Sequence, residues 1–391
     1  RTHWVTSWYA APQPGWDRTF VLPMNVPAIL DDQTVRDNVR ISAGGERIKL
    51  VFSNRYGKAP LEIGATSVMT REVTFAGARQ VTIAPGATAT SDPIALRVAP
   101  LSLLQVTTYL PKTTAVTGFH WGGSQSISVA AGNATQAAGF SNAVRVEGRL
   151  FLSAVQVDAL PDGRTVVALG DSITDGNGST PDADRRWPDF LARRLAPHGI
   201  AVANAGISGA RLLKDGMGES ALARFDQDVL SQSGVSDVIV LLGINDIGWP
   251  GSPFAPDDAM MTLHELTAGF RQLALSAQAR GIRITVGTLP PFEGALEGTP
   301  FAGHYSPQKE ALRKRLNDWI RRAGIFDAVV DFDAALRDPD RPQRLRAAFD
   351  SGDHLHPGDA GYRRMADAID IGVIVAPHPG AGRDAASART E

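Results

Sequence analysis

Short alternations of apolar and polar residues fill the chain up to about residue 160, and a strand–loop–helix rhythm replaces them afterwards. The alternating segments include Val39-Arg40-Ile41, Ile48-Lys49-Leu50-Val51-Phe52, Gln105–Leu110 and Leu150–Val157, separated by turn residues. Side chains two apart share one face of a strand, so these segments predict half-buried strands. Gly44-Gly45 and Glu147-Gly148 stand where hairpin turns are expected. No helical period of useful length appears, and residues 1–160 are expected to form an all-β sandwich or jelly-roll domain.

From residue 161 to 376 the candidate strands are Thr165–Leu169, Ala201–Asn204, Val238–Leu242, Arg283–Thr288 and Ala328–Asp331. Candidate helices lie between them, near Trp187–Ala196, Glu219–Ser231, Asp258–Arg280 and Ser306–Ala323, and a last one follows Asp359. Ser306-Pro307 supplies an N-cap followed by proline at the first helical position. Strands alternating with helices of this length predict an α/β domain, a parallel sheet covered on both faces. The segment 377–391 is rich in Gly, Ala, Ser and Arg without periodicity and is expected to be a disordered tail.

The 391 residues exceed what one core usually holds, in keeping with two domains. With 39 basic and 41 acidic side chains the formal charge is −2, a balance that suggests neither nucleic acid nor an anionic membrane surface as partner. The longest apolar runs, Val238–Leu242 and Ile371–Ala376, fall far short of the roughly 20 residues of a membrane span. There is no cysteine, which excludes disulfides, thiolate metal sites and a cysteine nucleophile. The chain starts at Arg1 rather than Met, as a mature exported protein would after loss of its signal, although trimming leaves the same start. A secreted or periplasmic location is the expectation.

In an open parallel sheet, ligands bind beyond the carboxyl ends of the strands. Four loops satisfy that filter. Gly170-Asp171-Ser172 follows the first strand, Asn204–Gly209 the second and Gly243-Ile244-Asn245-Asp246 the third, while Ser351–Pro357 precedes the final helix. Together they suit acyl transfer. Ser172 is the candidate nucleophile and needs a base at neutral pH, for which His356 is the candidate. Asp353, three residues earlier, can orient the ring as a triad acid does. The backbone N–H groups of Ser172 and Gly209 and the amide of Asn245 are candidate donors to the developing oxyanion.

Gly170-Asp171-Ser172, Gly209, Gly243-Ile244-Asn245-Asp246 and Asp353-His354-Leu355-His356 resemble, in order, the four sequence blocks of the SGNH, or GDSL-type, hydrolase superfamily. The resemblance covers about residues 161–375, with Ile173 where the GDSL name has Leu. It implies a flavodoxin-like three-layer α/β/α sandwich and a serine esterase mechanism without metal or cofactor. It also implies the roles: Ser172, Gly209, Asn245 and His356 as the S, G, N and H residues, with Asp353 as triad acid. The β-rich half is similar, loosely, to the accessory β-sandwich of some carbohydrate esterases in that superfamily.

Other readings stand beside these. Ser208 lies between glycines, but no Gly-x-Ser-x-Gly elbow surrounds it, and a loop role is expected. His354 and His356 could share a strand face and bind zinc, yet no further ligand pair is evident, and His354 is expected to be solvated or to lie behind the site. Asp350 is the alternative acid. Asp171–Asp182 has the outline of a calcium loop, but Ile173 occupies a ligand position. Asp171 and Asp246 are expected to order their loops through main-chain hydrogen bonds. Trp249 and the insertion Pro290–Tyr305, with Phe292, Phe301, His304 and Tyr305, are candidate pocket walls, packing being the other reading for Trp249. Trp4, Trp8, Trp16 and Trp121 are expected in the sandwich core rather than stacked on sugars, and Arg313-Lys314-Arg315 on a solvated helix face.

The expected activity is hydrolysis of carboxylic esters through an acyl-enzyme, on a small-molecule or carbohydrate ester. The chain shows no lid and no long apolar stripe, which favours short acyl groups, and the resemblance suggests acetyl esters of carbohydrates. Two alternatives remain: an acyltransferase using the same triad, and a carbohydrate-binding protein with an inactive hydrolase domain.

Overall fold

The computed structural model describes residues 3–378, so the expected tail falls, from residue 379 on, outside the described residues. In the N-terminal half the alternating segments form two antiparallel sheets. One has four strands in the spatial order His3–Tyr9, Leu152–Ala159, Ile48–Ser53 and Thr88–Thr90. The other has six, in the order Val144–Glu147, Ser126–Ala131, Gln33–Arg40, Leu103–Leu110, Ala65–Val68 and Arg71–Glu72. Val35, Val39, Leu104 and Val106 of the second sheet share one core with Leu50, Phe52, Val155 and Val157 of the first. Alternation puts those side chains on the inner faces of a sandwich.

The two glycine turns behave differently from expectation. Gln33–Arg40 and Ile48–Ser53 lie in different sheets, as do Val144–Glu147 and Leu152–Ala159. Gly44-Gly45 and Glu147-Gly148 therefore carry the chain from one sheet to the other instead of closing hairpins. Local sequence marks a turn but not the sheet to which the next strand returns. At Gly148, φ is +100°, and a Cβ would stand 2.3 Å from the carbonyl oxygen of His120.

The second half contains five parallel strands: Arg164–Gly170, Ile200–Gly206, Val235–Leu241, Arg283–Gly287 and Ala328–Val330. Their spatial order is second, first, third, fourth, fifth, the flavodoxin-like order. Val167, Leu169, Val238 and Val240 face one helical layer with Phe225, Phe270 and Leu316. Val166, Ala168, Ile239 and Leu241 face the other with Trp187, Leu191 and Met365. Burial on both faces explains why these strands read as continuous apolar runs.

Helices Trp187–Leu195, Pro307–Arg322 and Asp359–Asp367 lie where the sequence predicts them, Ser306 accepting from the Lys309 N–H as N-cap. The helix expected from Asp258 begins at Leu263, where Thr262 and Glu265 exchange the two hydrogen bonds of a capping box. The segment Glu219–Ser231 splits into an α-helix, Ala221–Phe225, and a π-helical turn, Asp226–Leu230.

Two side-chain expectations need correction. Arg313 is buried rather than solvated: its guanidinium pairs with Glu310 at 2.7 Å and Asp333 at 2.8 Å, while Lys314 and Arg315 are exposed. Of the four tryptophans, Trp8 is in the sandwich core, but Trp4 is half-buried beneath the Lys49 ammonium. Trp16 and Trp121 reach out of that core to a small cluster with Met217 and Trp249. No helix among the described residues is long and apolar enough to cross a membrane.

Candidate active site

The first parallel strand ends at Gly170, where the chain turns sharply into the short helix Ser172–Asp175. A Cβ at Gly170 would lie 2.1 Å from Thr174 Oγ1 and 2.9 Å from the Leu241 carbonyl oxygen, so the turn requires glycine. The Asp171 carboxylate caps the helix by accepting from the Ile173 N–H at 2.9 Å. Burial pushes its pKa up to about 7, against the pull of that N–H and of His356. Ser172 thus stands at the strand tip, with its hydroxyl turned toward the loop that precedes the last long helix.

That loop brings the other two candidate triad residues to Ser172. Ser172 Oγ lies 2.8 Å from His356 Nε2, and His356 Nδ1 lies 2.5 Å from Asp353 Oδ2. The other carboxylate oxygen of Asp353 accepts from the N–H groups of Leu355 and His356, at 2.9 and 2.8 Å. Burial alone would raise the Asp353 pKa; the hydrogen bond and charge of His356, with these N–H groups, outweigh it and hold the carboxyl well below the usual range. Asp350, the alternative acid, is engaged elsewhere: its Oδ2 lies 2.5 Å from His354 Nδ1. The loop therefore contains two parallel His–Asp pairs, and only His356 faces Ser172.

Gly209 and Asn245 flank the serine from the neighbouring strands. Gly209 has φ +75°, and a Cβ there would sit 2.2 Å from Met217 Sδ and 3.0 Å from Trp249 Cζ2. Asn245 is buried and donates one amide hydrogen to the Ala210 carbonyl at 3.1 Å, beside Gly209. Among the described residues, the N–H groups of Ser172 and Gly209 have no acceptor. Asp246 orders the Gly209 loop by accepting from the Leu212 and Leu213 N–H groups, and burial pushes its pKa up to about 6.

Trp249 is buried, stacks on Phe254 at 4.6 Å and backs the Gly209 loop, which is a packing role. Within the insertion, Phe301 continues that stack at 4.7 Å. His304 is sealed against Phe292 and Gly248, with neither ring nitrogen partnered among the described residues; burial, then the Lys309 charge, pushes its pKa down to about 3.

Three further residues escape sequence reading. Asp175, one helical turn after Ser172, accepts from Ser208 Oγ at 2.8 Å and faces His120 Nε2 at 2.7 Å. His120 comes from the β-rich half and sets its other nitrogen 2.7 Å from the Ala11 carbonyl. Arg224, fully buried, donates to the carbonyls of Gly170 and Ala205 at the strand ends and to Asp228 at 3.0 Å. The i, i+4 spacing of Arg224 and Asp228 was the one available signal; nothing near His120 distinguishes it from a core histidine.

Similar solved structures include a GDSL-like lipase from Bacteroides thetaiotaomicron, 20% identical over 55% of this chain and 89% of that one, with a TM-score of 0.39. Another is an acetyl xylan esterase from Geobacillus stearothermophilus, 24% identical over 54% of this chain and 94% of that one, with a TM-score of 0.37. Among curated proteins, no relative matches. The profile of the GDSL-like Lipase/Acylhydrolase family matches residues 168–364, half of the chain and all of the loops just described: the chain belongs to that family.

Proposed function

We propose that the protein is a serine esterase that cleaves short-acyl carboxylic esters, acetyl esters of carbohydrates foremost, through an acyl-enzyme. The observation that carries this reading is the unbroken line from Ser172 Oγ through the His356 ring to Asp353, with contacts of 2.8 and 2.5 Å. Asp353, held ionised, accepts from Nδ1–H, which leaves Nε2 as the basic nitrogen toward the serine.

In the first half-reaction Ser172 Oγ attacks the ester carbonyl while its proton passes to His356 Nε2. The carbonyl oxygen becomes an oxyanion, taken up by the N–H groups of Ser172 and Gly209 and by the Asn245 amide. Collapse expels the alcohol, which receives the proton from His356. Water then repeats the sequence on the acyl-enzyme, with His356 as base, and frees the acid and Ser172. Met217 and Trp249, both buried against Gly209, hold from behind the loop that carries this oxyanion donor.

The test is a fluorophosphonate probe with a chromogenic ester series graded by acyl length. The probe should label Ser172, and Ser172→Ala should lose labelling and at least about 10⁴-fold in kcat while keeping its melting temperature. Turnover near wild type in that variant, or labelling of another residue, would overturn the assignment.

A further inference from the structure

A cavity of about 200 Å³ lies between the β-rich half and the loop that follows the nucleophile, lined by Trp121, Gly122, Asn25, Glu147, Asn177 and Gly178 among others. It is smaller than the roughly 300–1,000 Å³ of pockets that enclose drug-sized ligands, so it has room for one ring rather than an extended chain. We propose that this cavity is the subsite for the alcohol half of the ester and takes a pyranosyl ring. The inference rests on the esterase reading for its link to turnover, but not for binding.

Position is the first argument. The Asn177 N–H donates to the Ser172 carbonyl at 3.0 Å, so one wall of the cavity is built directly on the nucleophile's own turn. Gly178 forms the adjoining wall with φ +88°, and a Cβ there would come within 2.7 Å of the Pro357 carbonyl oxygen, next to His356. The cavity therefore borders the turn of Ser172, and Gly178 stands between it and the loop of His356.

Its floor is the second. Gly122 and Gly123 have φ of +60° and +71°, a backbone conformation side chains rarely adopt. A Cβ on Gly123 would stand 2.6 Å from Asp175 Oδ1, so glycine lets this turn lie flat against the catalytic half. Ser124 Oγ fastens it by donating to the Gly176 carbonyl at 3.0 Å. The result is a floor without side chains, open to a bound ring.

Chemistry is the third. The Trp121 N–H is used on the Pro23 carbonyl at 2.9 Å, which leaves the half-buried indole to act through its face. An aromatic face takes the apolar C–H face of a sugar ring. Around it, the planar groups of Asn25, Asn177, Gln125, Arg145 and Glu147 offer donors and acceptors suited to neighbouring hydroxyls. Arg145 pairs with Asp182 at 3.1 Å and lies 3.7 Å from Glu147, so the rim holds no uncompensated cation and an uncharged polyol fits better than an anion.

Binding is read without turnover by saturation-transfer NMR on Ser172→Ala protein with methyl 2-O-acetyl-β-xylopyranoside, which keeps its other ring hydroxyls free. Ring protons should receive saturation, and adding Trp121→Ala or the exposed-site change Glu147→Ala should reduce the transfer at least threefold. In the active protein the same two changes should raise KM for that sugar ester at least tenfold more than for 4-nitrophenyl acetate. Absence of transfer, transfer that survives both changes, or an equal effect on both esters would overturn the proposal. If wild-type protein turns over neither ester while transfer is seen and lost as described, the esterase reading fails and the cavity assignment stands.

Discussion

Gly209 shows how strictly single positions are constrained around Ser172. Its φ of +75° and the 2.2 Å from a built Cβ to Met217 Sδ leave no room for a side chain, and its N–H is one of the proposed oxyanion donors. Gly209→Ala should therefore lower kcat at least about 100-fold, the loss typical of one misplaced donor, with a smaller effect on KM. A variant with wild-type kcat in steady-state assays would remove Gly209 from the oxyanion site. The serine and the flanking glycine and asparagine could be picked out in the sequence because each follows a strand within a short motif, and the histidine because its motif directly precedes the final helix. The three-residue spacing to His356 favours Asp353 over Asp350 as the acid, but that Asp350 has a histidine of its own follows only from the loop's path, which gives one ring to each. Arg313 likewise reads as solvent-facing from its charged neighbours, and its burial depends on Glu310 and Asp333 converging on it.

Among elements, the helix that starts at Ala221 matters for the strands it braces. Arg224 donates to the carbonyls that end the first and second parallel strands, while Asp228 balances its charge at 3.0 Å. Tyr9, at the end of an N-terminal strand, completes the set by donating its hydroxyl to Asp228 at 2.6 Å. The group is fully buried, and removing one partner leaves an unsatisfied acceptor in a medium of low polarity. Tyr9→Phe should cost about 1–3 kcal/mol in urea unfolding, and no change in midpoint would show that the bond contributes nothing. Element types and most boundaries followed from hydrophobic period and caps. What the period could not show was pairing, since the two glycine turns cross between sheets and a strand carries no mark of its partner.

For the whole molecule, the seam between the two halves includes a buried ion pair between His120 and Asp175. His120 from the β-rich half faces Asp175 at 2.7 Å and the Ala11 carbonyl at 2.7 Å, so both ring nitrogens meet acceptors. Burial opposes the imidazolium, but the Asp175 charge and hydrogen bond, with the Ala11 carbonyl, outweigh it and raise the pKa; Arg186 opposes weakly. A histidine raised on folding contributes stability that is complete below its unfolded pKa of about 6.5 and is lost as pH rises through the folded value. The difference in urea midpoint between wild type and His120→Gln should therefore be largest near pH 6 and shrink toward pH 9. A difference that stays constant over that range would mean the ring is held as a neutral group.

Local chemistry was enough to specify the strand–helix alternation and the motifs that hold the candidate serine and histidine, because side-chain period, caps and turn glycines act over a few residues. The close meeting of Ser172 with His356, 184 positions apart, needed the sheet order and the folded path of the last loop. The same holds for the seam at His120 and Asp175, 55 positions apart, and for the cavity beside it. Contacts between distant segments depend on how complete surfaces fit, and that is a property of packing in three dimensions rather than of any stretch of chain.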